Sequence, residues 1–273
     1  MSEYLSSNNK KVTAPQFFDM KHSGHKISML TAYDYTMASI VDAGGVDSIL
    51  VGDSASNVME GNATTLPITV DEMICYARPV ARAAKHALVL CDMPFGSYQT
   101  GKEDALRNAV KIMKLTGVDA LKLEGGIEIV ETIRAMVNMG IPVCGHLGLT
   151  PQSVHKFGGY GLRAKNDAEA EKLLSDAKAL DEAGCFAIVL EKVPAALAEK
   201  VTASVSCATI GIGAGAGTDG QVLVSADMLG LNKGFRPKFL RQYLDGFDVM
   251  TKAVAQYVSD VESGDFPNQS ESY

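Results

Sequence analysis

Eight short apolar runs, most of them followed by a segment of helical spacing, constrain this chain more than any other feature of it. The runs lie at 26–31, 48–52, 87–91, 119–126, 141–145, 186–190, 208–212 and 222–224. Helical patterns lie at 15–20, 33–42, 69–85, 100–115, 127–138, 166–183, 195–204 and 237–261, with a further short turn opened by Thr150-Pro151. Strands that alternate with helices run parallel and are covered on both faces. Eight such units in 273 residues predict one (β/α)8 TIM barrel. A doubly wound open sheet is the alternative, because periodicity does not show closure. The barrel domain is expected over 14–262, between a flexible tail at 1–13 and a polar tail at 263–273.

Local signals refine this outline. Thr69-Val70-Asp71-Glu72 and Thr100-Gly101-Lys102-Glu103 both have capping-box spacing, and Asn166 is placed to cap the helix after it. Pro79 predicts a kink. Met37, Ile40 and Val41 are expected on the apolar side of the 33–42 helix. A loop of about fifteen residues follows the second strand, and structureless loops of that size are usually functional.

Composition excludes several classes. A net charge of −7 is a poor footprint for nucleic acid. The first eleven residues are polar and carry no apolar signal core, and no run approaches the ~18 apolar residues of a membrane span. Five cysteines without C-x-x-C spacing fit reduced, buried thiols. A cytoplasmic enzyme without membrane or nucleic-acid partners is expected.

The placement of polar residues points to a site. On the fourth strand Leu121 and Leu123 share one face, Lys122 and Glu124 the other. Two charges on a covered face need a partner or a ligand. Asp53, Asp92, His146 and Glu191 close the second, third, fifth and sixth strands. In a barrel all these ends converge on one mouth. Singly, each Asp reads as a cap or turn residue. Together Asp53, Asp92 and Glu124 form an all-oxygen set suited to Mg²⁺, which keeps water and substrate oxygens in its shell. Lys122 is placed to stabilise a developing enolate or carboxylate. Glu191, with Val193 and Pro194 nearby, is a candidate general base; an ion pair with Lys192 or Lys200 is the plain alternative. His146 is either substrate-orienting or a hydrogen-bonded structural residue. Cys144 and His146 lack the geometry of a nucleophilic dyad. Gly211-Ile212-Gly213-Ala214-Gly215-Ala216 matches the loose dinucleotide pattern but opens no βαβ unit.

Several segments stand in a telling order: Leu50-Val51-Gly52-Asp53-Ser54, Thr64-Thr65-Leu66-Pro67-Ile68-Thr69, Asp92-Met93-Pro94-Phe95, Lys122-Leu123-Glu124-Gly125-Gly126, Gly145-His146-Leu147-Gly148-Leu149-Thr150-Pro151-Gln152 and Ile210-Gly211-Ile212-Gly213-Ala214-Gly215. The set closely resembles the ketopantoate hydroxymethyltransferase family over residues 13–262. The resemblance implies a barrel of the phosphoenolpyruvate/pyruvate superfamily, a Mg²⁺ site and a homo-oligomer, usually a decamer. It implies transfer of a one-carbon unit from 5,10-methylenetetrahydrofolate to 3-methyl-2-oxobutanoate, giving 2-dehydropantoate for pantothenate biosynthesis. By position, the family's metal residues fall on Asp53, Asp92 and Glu124. Its keto-acid contacts fall on Asp53, Ser54, Asp92 and Lys122, and its proton acceptor on Glu191. A related Mg²⁺-dependent lyase or mutase acting on another 2-oxo acid is the alternative. Asn62 and Ala55-Ser56-Asn57, in the loop after the second strand, depart from the commoner family pattern.

Overall fold

Among the described residues the alternation resolves into eight parallel strands that close on themselves in chain order. They are β1 (Ile27–Thr31), β2 (Ser48–Val51), β3 (Leu88–Asp92), β4 (Ala120–Glu124), β5 (Val143–Gly148), β6 (Ala187–Glu191), β7 (Ala208–Ile212) and β8 (Gly220–Leu223). The ladder from β8 back to β1 removes the open-sheet alternative. The structure is a computed structural model that describes residues 11–234 and 236–273. The greater part of the expected flexible tail, residues 1–10, therefore lies outside the described residues. Residues 11–13 are pinned: Lys11 pairs with Asp119, and the Val12 amide donates to the His86 carbonyl at 2.7 Å.

By contacts the chain forms two compact units, one up to Leu223 and one over Val224–Tyr273. In the first, helices α1 (Ala14–Ser23), α2 (Tyr35–Ala43), α3 (Ala55–Val58), α4 (Val70–Ala83), α5 (Lys102–Thr116), α6 (Val130–Asn138), α7 (Val154–Phe157), α8 (Asp167–Glu182) and α9 (Ala195–Ser204) accompany the strands. The second holds α10 (Ser225–Met228) and α11 (Gly246–Ser263). Helix at 237–245 is not formed, so the closing helix is shorter than its apolar pattern.

Most caps follow the sequence signals. Thr69 forms a capping box with Glu72, and the Asn166 side chain accepts from the Glu169 amide. The second expected capping box fails. Gly101 is the N-cap of α5, and its φ of 154° with no side-chain bond leaves Thr100 outside the helix. Ile40 is 58% exposed, while Ala38 and Val41 bury the inner side of α2. The long loop after β2 is not structureless, because α3 occupies its first half.

Two apolar layers hold the barrel. Between strands and helices lie Ile49, Val51, Val89, Leu121, Leu123, Ile188 and Leu190 with the inner faces of the helices. Inside the barrel lie Leu50, Leu88, Leu90, Ala120, Cys144, Ala187, Val189 and Ile210. Phe17 of α1 belongs to this inner layer and meets Phe186 edge to face, ring centroids 5.1 Å apart.

Carboxylates brace the N-terminal ends of the strands. Asp42 accepts the amides of Ala87 (2.8 Å), Lys85 (2.9 Å) and His86 (3.1 Å). Asp181 does the same for Ser206 and Cys207, Asp119 for Val89 and Asp219 for Thr209. Burial pushes the Asp42 carboxyl up, but the amides of Ala87, Lys85 and His86 outweigh it and hold it below its ordinary value. A depressed pKa contributes stability that is present above the unfolded value and lost as pH falls through the folded one. Asp42→Asn should therefore cost about 2–3 kcal/mol at neutral pH, the scale of bonds to a charged acceptor. It should cost less in acid. Urea unfolding at pH 7 and pH 3 measures both; an equal loss at the two values would contradict the charge-based account.

Candidate active site

Strand parity explains why charge enters the barrel. On β4 the side chains of Leu121 and Leu123 join the outer layer, and Ala120 joins the inner one. Lys122 and Glu124 therefore follow Ala120 inward at period 2. Each neighbouring strand repeats the design, apolar at the bottom and polar at the C-terminal end. Register then sets Asp92 beside Lys122, Glu124 beside His146, and Gly148 beside Glu191.

The predicted residues form one network. The Lys122 ammonium lies 3.0 Å from Asp92 Oδ1 and 3.1 Å from His146 Nδ1. The Asp53 amide donates to Asp92 Oδ2 at 3.0 Å. His146 Nδ1 is 3.3 Å from Glu124 Oε1, and its Nε2 is 3.4 Å from Glu191 Oε2. Because Nδ1 accepts from Lys122, the ring proton belongs on Nε2, facing Glu191. Ser54 sits at the edge, its hydroxyl 2.8 Å from the Tyr33 hydroxyl. None of Asp53, Asp92, Lys122, Glu124 and His146 is more than 7% exposed.

Three carboxylates around one ammonium leave negative charge uncompensated, and the titration shifts record it. Burial, then the charges of Asp92 and Glu124, push Asp53 well above the carboxylate range. Burial pushes Glu124 up to about 7, with Lys122 opposing. Burial works against the charge of Lys122, but Asp92, Glu124 and Asp53 overcome it and keep the ammonium protonated. Burial and the Lys122 charge hold His146 low, so it stays neutral.

The donor set fits a hard divalent cation. Asp92 Oδ1 and Glu124 Oε1 are buried without a directed hydrogen bond. Among the described residues no three His, Cys, Asp or Glu side chains are drawn into a ready-made metal cluster. That is compatible with Mg²⁺, which takes one or two carboxylates and completes its shell with water and substrate oxygens.

Two residues that carry the network were not singled out from the sequence. Gln152 donates from Nε2 to Asp53 Oδ2 (2.9 Å) and Met93 O (3.0 Å), and from its amide to Glu124 Oε2 (2.9 Å). Tyr98 donates to Gln152 Oε1 at 2.8 Å and accepts the Glu124 amide at 3.0 Å. The only signal for Gln152 was its place at the end of the Gly-His-Leu-Gly-Leu-Thr-Pro-Gln run; Tyr98 had none. Two glycines are required by close approach. A Cβ on Gly52 would lie 2.7 Å from Ser54 Oγ, and Gly148, at φ 90°, would bring one to 2.3 Å from the Glu191 carbonyl.

Lys122 pairs with Asp92 rather than with Glu124 alone. The Lys192 ammonium turns to the Tyr160 carbonyl, while Glu191 faces His146. Burial pushes the Cys144 thiol up to about 12, which removes it as a nucleophile. No helix starts in the 211–216 glycine segment; β8 follows it, and Gly215 packs against Ala195. In the atypical loop, Asn62 Nδ2 donates to Ser56 Oγ (3.1 Å) and Glu60 Oε2 (2.9 Å), and Asn57 donates to the Asn62 carbonyl. These residues bind the loop to itself.

Fold and site together define a (β/α)8-barrel enzyme with its titratable groups gathered at the C-terminal mouth. Two solved structures share that architecture: a 2,3-dimethylmalate lyase of the PEP mutase/isocitrate lyase superfamily (17% identical, TM-score 0.58, covering 91% of this chain and 99% of that one) and a phosphonopyruvate hydrolase complexed with oxalate and Mg²⁺ (11%, 0.60, 95% and 93%). In sequence, the chain is 61% identical over 264 residues, 97% of each chain, to a 3-methyl-2-oxobutanoate hydroxymethyltransferase of Flavobacterium johnsoniae. The chain belongs to the ketopantoate hydroxymethyltransferase family, whose model matches residues 11–269.

Proposed function

We propose that this chain transfers the one-carbon unit of 5,10-methylenetetrahydrofolate to 3-methyl-2-oxobutanoate, giving 2-dehydropantoate in pantothenate biosynthesis. The observation that carries the reading is the buried Lys122 ammonium among Asp53, Asp92 and Glu124, with Glu191 across His146 from them. The lyase or mutase alternative rests on fold likeness at 11–17% identity, whereas the transferase reading rests on relatives near 60%.

Asp53, Asp92 and Glu124 would hold Mg²⁺. When bound, Mg²⁺ supplies Lewis acidity to the carboxylate and keto oxygen of the substrate. Asp53, Ser54, Asp92 and Lys122 contact the keto acid. The Glu191 carboxylate takes the C3 proton, and the Lys122 ammonium stabilises the negative charge that develops on oxygen. The neutral His146 imidazole orients the substrate between Glu124 and Glu191. The enolate carbon forms a C–C bond to the folate's methylene carbon, both C–N bonds to that carbon break, and water supplies its hydroxyl oxygen. Tetrahydrofolate leaves with its two nitrogens protonated by the C3 proton and one proton of that water. Buried surroundings strengthen each of these charge interactions.

Proton NMR of 3-methyl-2-oxobutanoate in D₂O tests this without folate. The C3 proton signal should disappear with enzyme and Mg²⁺ and persist with EDTA. Exchange that survives EDTA would remove the metal from the mechanism, and no exchange or transfer even with folate present would remove the substrate.

A homo-oligomer of decameric type and a cytoplasmic location complete the proposal. No helix among the described residues is long and apolar enough to cross a membrane. Met250 and Val254 on α11 are each at least 60% exposed, which supports self-association; sedimentation reads the assembly directly.

A further inference from the structure

A cavity adjoins the charged cluster. It encloses about 480 Å³ and lies over the C-terminal ends of β4 and β5, sharing Glu124 and Gln152 with the site already described. That volume suits a ligand of coenzyme or drug size and far exceeds what a five-carbon keto acid fills. One part of its wall is apolar, with Ile129, Leu147 and Leu173. Another part is charged and already ordered. Asp176 accepts Lys172 Nζ through both oxygens (3.0 and 2.8 Å) and the Ile127 amide at 3.2 Å.

Asp176 is held in place by more than its ion pair. It is 6% exposed, and a Cβ on Gly126 would lie 2.1 Å from its carboxyl carbon, so the carboxylate rests directly on the Gly126 backbone. Gly126 is two residues from Glu124, a reach of about 7 Å at most. A carboxylate accepts up to four hydrogen bonds, and the three named here leave Asp176 one further site.

We infer that this cavity receives the pteridine ring of the folate co-substrate, with its amino-pyrimidinone edge donating to Asp176 and its reactive methylene directed towards Glu124. This inference rests on the folate-dependent reading above. A partly apolar wall beside a carboxylate already held by three hydrogen bonds, with Glu128, Arg163 and Glu169 elsewhere in the lining, matches a flat heterocycle that has apolar faces and a donor-rich edge. The shared Gln152 joins the two substrate regions: its side chain holds Asp53 and its amide holds Glu124.

Binding of tetrahydrofolate to the Mg²⁺-loaded enzyme, by equilibrium dialysis, tests the assignment. Asp176→Asn removes the charged acceptor. Ser153→Trp fills the cavity from a partly exposed wall position and remains informative if the first variant does not fold. Each should raise the Kd for tetrahydrofolate and the KM for methylenetetrahydrofolate at least tenfold. The KM for the keto acid and the folate-free exchange of its C3 proton should stay at wild-type values. Wild-type folate affinity in the folded variants would overturn the cavity assignment and leave the proposed reaction standing. No tetrahydrofolate binding by the wild-type enzyme would overturn the folate reading itself, and the assignment with it.

Discussion

Glu191→Gln should bind the keto acid and lose at least ~10²-fold in C3 proton removal, the low end for loss of a general base. The amide matches the carboxylate in shape but cannot take a proton at neutral pH. Glu191 suits the role because its side chain keeps 17% exposure at the barrel mouth, whereas the carboxylates of Asp92 and Glu124 are sealed at 4%. Its neighbour His146 remains to orient what binds. Exchange in D₂O gives the rate, and calorimetric titration with the keto acid gives the affinity. Near-wild-type exchange would take the proton-acceptor role away from Glu191; loss of affinity in parallel with rate would make it a binding residue.

Lys122→Met should destabilise the metal-free protein by about 3–5 kcal/mol, the cost of stripping one partner from a buried ion pair. Methionine preserves the apolar stem, so lost packing contributes little. What remains is Asp53, Asp92 and Glu124 facing one another without a cation. Mg²⁺ should restore part of the loss, since it supplies the missing charge. Urea midpoints with Mg²⁺ and with EDTA separate the two effects. A variant as stable as wild type in EDTA would mean that the carboxylates relieve the strain by protonation alone. The wild-type shifts already lean that way for Asp53 and Glu124.

The contrast between the two ends of the barrel explains why only one set of carboxylates reads as chemistry. At the N-terminal end Asp42, Asp119, Asp181 and Asp219 accept backbone amides, and their work is structural. At the C-terminal end Asp92 Oδ1 and Glu124 Oε1 lack a directed hydrogen bond. A carboxylate whose oxygens are filled by backbone amides braces the fold; one whose second oxygen meets only Lys122 or His146 can also hold a ligand. The sequence places Asp53, Asp92 and Glu124 at strand ends, whereas Asp42 and Asp181 lie in helices, and the partners that distinguish the two groups come from remote segments.

Much of the outline could be read directly. The strands at 208–212 and the helix at 195–204 have the boundaries their apolar patterns indicate, and Thr69 and Asn166 cap as their spacing requires. These are local properties: a period, a cap and a stop lie within a few residues of one another. The failures are of another kind. Thr100 loses its capping role to the backbone conformation of Gly101, and 237–245 does not join the closing helix. Spacing was present in both, but backbone geometry decided against it.

The chain by itself determined that five of the eight strands would deliver Asp53, Asp92, Lys122, Glu124, His146 and Glu191 to their ends, because period-2 alternation fixes which face each residue occupies. Only the closed barrel decided that those ends meet. Register across separate ladders set Asp92 against Lys122 and Glu124 against His146, and Gln152 reached Asp53 across 99 positions of sequence. Periodicity carries no information about such distances. Charge balance, burial and the cavity beside Glu124 are therefore properties of the closed structure alone.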